Sequence, residues 1–278
     1  MKKVRWIIQD NLIAENDRMQ FQEACDKLNI EHVEITVVPF SEELPEFPVD
    51  DEYENIYYGS TTLMNNIYEQ LNKPVGLFYN QDTFSMENYV DKWGDYMLSS
   101  EAEFMTMKEF ANGAYPNDRK FFIRPDGDGK EFDGVVVEYG KFDEWYDKLT
   151  KCDAVGLGPD TDIMVGPAYN IGKEWRNYVV NGKVVTSSRY RNNFKLSKSG
   201  DDIPEGMIKF VEDRLKEYTP HEVIAIDIAE VKDDGENKYF IIECGCMNSV
   251  GLYSSDIHKF VEALSNYVQN KTATTGAL

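Results

Sequence analysis

The sequence predicts an α/β chain in two parts, a small parallel α/β domain followed by an α+β region built on antiparallel sheets. Three observations carry this expectation. Short apolar runs alternate with helical patterns through the first third. From about Phe121 the strands come as hairpins, the clearest around Asn181-Gly182. The 278 residues are 42% hydrophobic and 28% charged, enough for one large or two modest domains of ordinary soluble composition.

In the first part, Val4–Ile8 reads as a strand, Arg18–Leu28 as a helix and Val33–Val38 as a second strand. Residues 41–54 hold seven acids, no bases and two prolines, so an exposed loop is expected there. A strand at Ile56–Tyr58, a helix from Thr61 to Leu71 and a strand at Val75–Tyr79 follow, with Lys73-Pro74 ending the helix. Tyr115-Pro116-Asn117-Asp118 makes the junction, so the expected domains are 1–115 and 116–270, with a small, polar, disordered tail at 271–278. Later helices are expected at Phe142–Leu149, Pro204–Tyr218 and Ser255–Asn270.

Fifty acids against twenty-nine bases give a net charge of −21, which repels phosphate backbones and disfavours nucleic-acid partners. Solubility explains such a surface, and a polyanionic ligand would need a local basic pocket. No apolar run reaches the ~20 residues of a membrane span, and the N-terminus reads as a strand rather than a signal peptide. Cys25, Cys152, Cys244 and Cys246 show neither zinc spacing nor a disulfide framework, which suits a reducing cytoplasm. The three histidines are isolated.

The hairpins bring charged residues together. A turn centred on Gly235 pairs residues whose numbers total 470, placing Asp227 opposite Glu243. Ile224, Ile226, Ile228, Phe240 and Ile242 would then face the core. Like charges directly across a sheet are unfavourable unless a cation lies between them or one is protonated. A solvated acidic pair on an acidic protein is the alternative. Ala225 and Ala229 leave room beside Asp227, and the amide of Asn248 could complete an oxygen shell. With Asn181-Gly182 in the turn of the other hairpin, Glu174 faces Arg189 and Arg176 faces Ser187. Arg176, Arg189 and Arg191 then share one face, where guanidinium forks suit phosphate oxygens and cross-strand ion pairing is the plainer reading. Phe121–Arg124 runs into a Gly- and Asp-rich loop carrying Lys130. The loop has neither Walker nor Rossmann spacing.

In this order the elements resemble the ATP-grasp superfamily, nearest a divergent clade of bacterial and phage genomes with arginine in place of the first nucleotide lysine. The matching pieces are Phe122-Ile123-Arg124-Pro125, the loop through Lys130 to Gly134, Glu174-Trp175-Arg176, Ser188-Arg189-Tyr190-Arg191, Asp227, and Glu243 through Tyr253. The resemblance implies that Arg124 and Lys130 contact ATP phosphates, with Glu174 among the nucleotide-binding residues. It implies that Arg176 and Arg191 act on the γ-phosphate or the phosphorylated intermediate. Asp227, Glu243 and Asn248 would hold one or two Mg²⁺, and adenine would lie near Met164-Val165-Gly166-Pro167. Relatives often carry Glu-x-Asn where this chain has Glu243-Cys244-Gly245.

The function so implied is an ATP- and Mg-dependent ligase joining a carboxylate to an amine through an acyl phosphate, with an amino acid or peptide among the substrates. No Ser/His or Cys/His constellation is needed for it. The alternatives are a phosphotransferase on the same scaffold and a non-catalytic nucleotide-binding or interaction protein. A cytoplasmic location and no membrane partner are expected.

Overall fold

The computed structural model describes residues 2–275 apart from 13, 40, 128–131, 152–156 and 234–235. The first layer is a parallel three-stranded sheet ordered β2-β1-β3, made of β1 (Lys3–Gln9), β2 (Glu31–Ile35) and β3 (Tyr53–Tyr58). Its buried centre, Trp6, Ile7 and Ile8, packs under α1 (Glu15–Lys27), α2 (Thr61–Gln70) and α7 (Ile257–Thr275). Ser60 caps α2 by accepting from the Leu63 amide at 3.2 Å. The exposed acidic stretch before β3 contains no regular element, as expected. Helix α7 runs through Thr275, into the stretch read as a tail.

Residues 75–79 do not form the expected strand. Only Gly76 bridges to Ile56, so closely that a Cβ on it would lie 2.0 Å from the Asn55 carbonyl oxygen. The side chain of Asn248 supplies the missing ladder bonds. Its Nδ2 donates to the carbonyls of Tyr57 at 2.7 Å and Gly76 at 2.8 Å, while Oδ1 accepts from the Phe78 amide at 2.7 Å. One amide thus stitches β3 to the 76–78 segment.

The expectation that Asn248 faces a metal is therefore corrected. The residue is 1% exposed, and its donors and acceptor are spent on the N-terminal backbone.

The second layer is a four-stranded sheet ordered β4-β7-β5-β6, from β4 (Glu103–Thr106), β5 (Lys120–Pro125), β6 (Val135–Glu138) and β7 (Asp162–Pro167). It recruits β4 from the N-terminal side of the expected 115/116 junction. Phe121, Ile123, Ile163 and Val165 pack against α4 (Met107–Ala111) and α5 (Phe142–Thr150) in a core of their own. Phe122 and Met164 instead join the large cluster shared with the third layer. Asp126, after β5, caps α3 (Met86–Trp93) by accepting from the amides of Met86 and Glu87.

The third layer is the antiparallel sheet β10-β9-β8-β11-β12: β8 (Ile171–Val180), β9 (Lys183–Asn192), β10 (Lys195–Ser199), β11 (Val223–Asp233) and β12 (Glu236–Gly245). Positive φ at Asn181 (51°) and Gly182 (72°) makes the turn the Asn-Gly pair demands. Trp175, Ile226, Ile228, Ile241 and Cys244 turn to α6 (Glu205–Glu217), whose Met207, Val211 and Leu215 meet them. The core side of β12 is thus Ile241 and Cys244, not the expected Phe240 and Ile242. The reason is the register, one residue from expectation at the turn and restored by a bulge before Asp227.

Removing the Asn248 amide leaves two carbonyls and one N–H buried without partners, each costing about 1–3 kcal/mol. Asn248→Ala is expected to lower stability by roughly 3 kcal/mol, read as a fall in the urea midpoint. An unchanged midpoint would refute the bracing role.

Candidate nucleotide and metal site

Asp227 lies opposite Glu243, as expected, although the hairpin is irregular. Near the turn, Asp233 pairs with Glu236 and Ala229 with Phe240, one residue out of the expected register. An extra residue, Ile242, then restores it so that Asp227 meets Glu243. A β-bulge re-aims side chains locally. Here it restores Asp227 to Glu243 and Ile226 to Cys244, whereas the register at the turn puts Phe240 opposite Ala229 and Ile241 in the core.

The first hairpin departs further from expectation. Extra residues at Val185 and Tyr190 shift the pairing twice, so Arg176 faces Ser188 and Glu174 faces Arg191. Arg189 falls opposite Trp175 and its guanidinium contacts Asp202, which also takes Lys173 at 3.0 Å. The expected Glu174–Arg189 pair and the grouping of Arg189 with Arg176 are thereby corrected. The second bulge has a benefit for the site: Tyr190 and Arg191 both reach Glu174, at 2.9 Å through the Tyr190 hydroxyl and 3.8 Å through Nη1 of Arg191.

The assembled site sets three carboxylates against three arginines. Arg176 holds Asp227 with two parallel bonds of 2.8 Å, Nε to Oδ1 and Nη2 to Oδ2. Arg124 crosses from the four-stranded sheet and its Nη1 reaches Glu243 Oε2 at 2.5 Å. Arg191 stands at the rim with its side chain 53% exposed.

Two tyrosines that sequence reasoning did not assign complete the setting. Tyr190 and Tyr253 stack with centroids 5.1 Å apart and planes at 10°, and the Arg176 guanidinium lies 5.7 and 5.3 Å from their rings. Tyr253 has φ 55°, a left-handed conformation costly for a side chain of this size. It is held there because its loop is fastened. The Tyr58 and Tyr178 hydroxyls donate to the Val250 and Gly251 carbonyls, both at 2.6 Å, and the Ser254 amide donates to Ser188 Oγ at 3.1 Å. Lys198 Nζ lies 5.7 Å from the centre of the Tyr253 ring. Both lie in pieces that carry the family resemblance, Ser188–Arg191 and Glu243–Tyr253, but nothing in the sequence announces the Tyr190 bulge.

The electrostatics show what the cluster lacks. Burial holds the Asp227 carboxyl above its ordinary range; Arg176 pulls it down and Glu243 pushes it up. Glu174 is likewise raised, mainly by burial, with Tyr190 and Arg191 opposing and Asp227 and Glu243 adding repulsion. The arginines do not fully offset the cost of burying these two acids. Among the described residues no group of three or more His, Cys, Asp or Glu side chains is arranged around a metal position. Magnesium needs less: it is commonly held by one or two carboxylates, completed by water and phosphate oxygens. Asp227 and Glu243 fit that donor set, and Asn248 does not belong to it. Gly245 lies opposite Ala225, and a Cβ there would meet only Val250 at an ordinary 3.7 Å.

Lys130 lies outside the described residues. Val165 sends its side chain into the core beneath the four-stranded sheet, so any nucleotide contact from it would have to be through backbone. Gly166 pairs with Phe122 near the end of β7, just before the chain crosses to β8.

Residues 99–263 match the family described as ATP-grasp domain, R2K clade family 2. Solved structures share the fold over nearly the whole chain. A RimK domain ATP-grasp protein from Sphaerobacter thermophilus has TM-score 0.60 and 10% identity, with 96% of this chain and 98% of that one covered. A RiPP-associated ATP-grasp ligase from Chryseobacterium gregarium, in complex with ADP and leader and core peptide, has TM-score 0.56 and 14% identity, covering 98% and 97%. The D-alanine–D-alanine ligase of Bacillus anthracis, complexed with ATP, has TM-score 0.50 and 11% identity, covering 98% and 100%. No curated protein sequence matches the chain.

A carboxyl raised in the folded state contributes stability fully below its ordinary value of 4.5 and loses it as pH climbs through the folded value. Glu174→Gln keeps an acceptor for Tyr190 and removes that loss. The variant should therefore gain on the wild type as pH rises from about 5 to about 8, compared by urea midpoints. A gap that is constant, or that moves the other way, would contradict the burial of a raised carboxyl here. The match over residues 99–263 covers more than half of the chain, which therefore belongs to the ATP-grasp superfamily, in this clade.

Proposed function

We propose that the protein is an ATP- and Mg²⁺-dependent ligase that joins a carboxylate to an amine, with a peptide or amino acid as substrate. The observation that carries this reading is the convergence of Arg124, Arg176 and Arg191 on Glu243, Asp227 and Glu174, on facing elements of an ATP-grasp fold. In a protein of net charge −21, such a cluster gives a polyanion a place to bind.

In this reading Arg124 and Lys130 take nucleotide phosphates, and Arg176 and Arg191 steady the transferring phosphoryl group. Asp227 and Glu243 would hold magnesium, which would supply neutralisation of charge on the phosphate oxygens. A substrate carboxylate oxygen attacks the γ-phosphorus and ADP leaves. An amine then adds to the carbonyl carbon of the acyl phosphate, the C–O bond to phosphate breaks, and the nitrogen loses a proton as the amide forms. The chain's own part is positioning and charge neutralisation, and among the described residues of the site none is an activated nucleophile. The adenine would lie where β7 crosses to β8.

Support for a peptide substrate comes from the relatives: the Chryseobacterium gregarium ligase was solved with leader and core peptide, and the Bacillus anthracis enzyme is named for joining two alanines.

Incubation with ATP, Mg²⁺ and a panel of peptides and amines should yield ADP, free phosphate and a product whose mass is the sum of acid and amine less water. Glu243→Ala should cut that turnover by at least about a hundredfold. A phosphorylated product without free phosphate would identify a phosphotransferase instead. No binding of ATP with Mg²⁺ at millimolar concentration would rule out both.

A further inference from the structure

We propose that Arg124 is a latch on the cleft: without nucleotide it neutralises Glu243 and ties the two antiparallel sheets together, and its transfer to a phosphate opens Glu243 to a cation. Divalent metal therefore binds after, or together with, the nucleotide and not before it. This rests on the function proposed above and adds a binding order to it.

The two arginine–carboxylate pairs are not equivalent. Arg176 and Asp227 sit opposite each other on adjacent strands of one sheet, and the guanidinium is flanked by the stacked rings of Tyr190 and Tyr253. That pair is a fixture of the sheet. Arg124 belongs to β5 of the other sheet, at the strand end where Pro125 and the Gly/Asp loop follow. Its contact with Glu243 is a bridge between layers rather than a pairing within one.

Both side chains are largely shielded, at 14% and 28% exposure, so water screens the pair weakly. A metal ion approaching Glu243 would meet a guanidinium already on the carboxylate and would be repelled by it. A nucleotide phosphate changes the balance, because it offers a guanidinium more negative charge and a matching fork of oxygens. Once Arg124 moves to it, Glu243 is left beside Asp227, two like charges facing each other across the strand pair, which favours uptake of a cation.

The test uses Mn²⁺ as a paramagnetic substitute for Mg²⁺, with free ion counted by electron paramagnetic resonance. Wild-type protein alone should bind Mn²⁺ weakly, and a non-hydrolysable ATP analogue should tighten binding at least about tenfold beyond the analogue's own affinity for the ion. Arg124→Gln should bind Mn²⁺ without nucleotide at least about tenfold more tightly than wild type. The double variant Arg124→Gln/Glu243→Gln should lose that gain, locating it at Glu243. If Arg124→Gln fails to fold, Arg124→Lys, which keeps the charge and loses the fork, should show a smaller gain in the same direction. Equal nucleotide-free affinities in wild type and variant, with analogue-dependent binding intact, would overturn the latch and leave the proposed function standing. Absence of Mn²⁺ binding even with the analogue would overturn both.

Discussion

A carboxylate on an interior strand of the five-stranded sheet sets the terms for what surrounds it. Asp227 is 3% exposed, and an ion withdrawn from water to that degree costs several kcal/mol unless it is met by opposite charge in good geometry. Arg176, directly across on β8, meets it with a two-bond fork. The guanidinium must then be desolvated in turn, and the Tyr190–Tyr253 stack does this with aromatic faces. Holding Tyr253 in a left-handed conformation requires the fastened 250–254 loop, whose anchors include Tyr58 on the parallel sheet. One buried charge thus commits residues from three regions of the chain.

Much of this was legible in the sequence, because strand periodicity and turn chemistry are local. Asn181-Gly182 gave a hairpin because Asn and Gly accept positive φ, and the alternation of apolar runs and helical patterns gave the parallel sheet. The bulges were not legible. Two errors cancelled in the second hairpin: the register near the turn was one residue out, and Ile242 restored it before Asp227. In the first hairpin the extra residue at Val185 moved Arg189 to the opposite face, and the one at Tyr190 returned Arg191 to the expected face. A bulge is chosen by what the re-aimed side chains meet across the sheet, here Tyr190 and Glu174, and that contact spans 16 positions of sequence.

Asn248 shows the same limit from the side of chemistry. An amide shortly after an acidic strand end is as well suited to a metal as to a backbone, and residue type alone does not separate the two. What separates them is demand: Tyr57, Gly76 and Phe78 present two acceptors and one donor in a buried gap that regular strand pairing leaves open. A metal can complete its shell with water, whereas a buried peptide group cannot be left unpaired. The amide went where no substitute was available.

Under the proposed function an acidic protein has to keep a site for a polyanion. Free arginines in a chain of charge −21 would be drawn to the nearest carboxylates, and the site stores them there on purpose-placed acids. The arrangement gives each acid an arginine partner and leaves the arginines within the cluster where phosphate is expected. Burial keeps Asp227 and Glu174 above their ordinary range despite these partners. A ligand that arrives as phosphate with a divalent cation supplies both charges together, exchanging partners on the arginines and the acids without leaving either exposed.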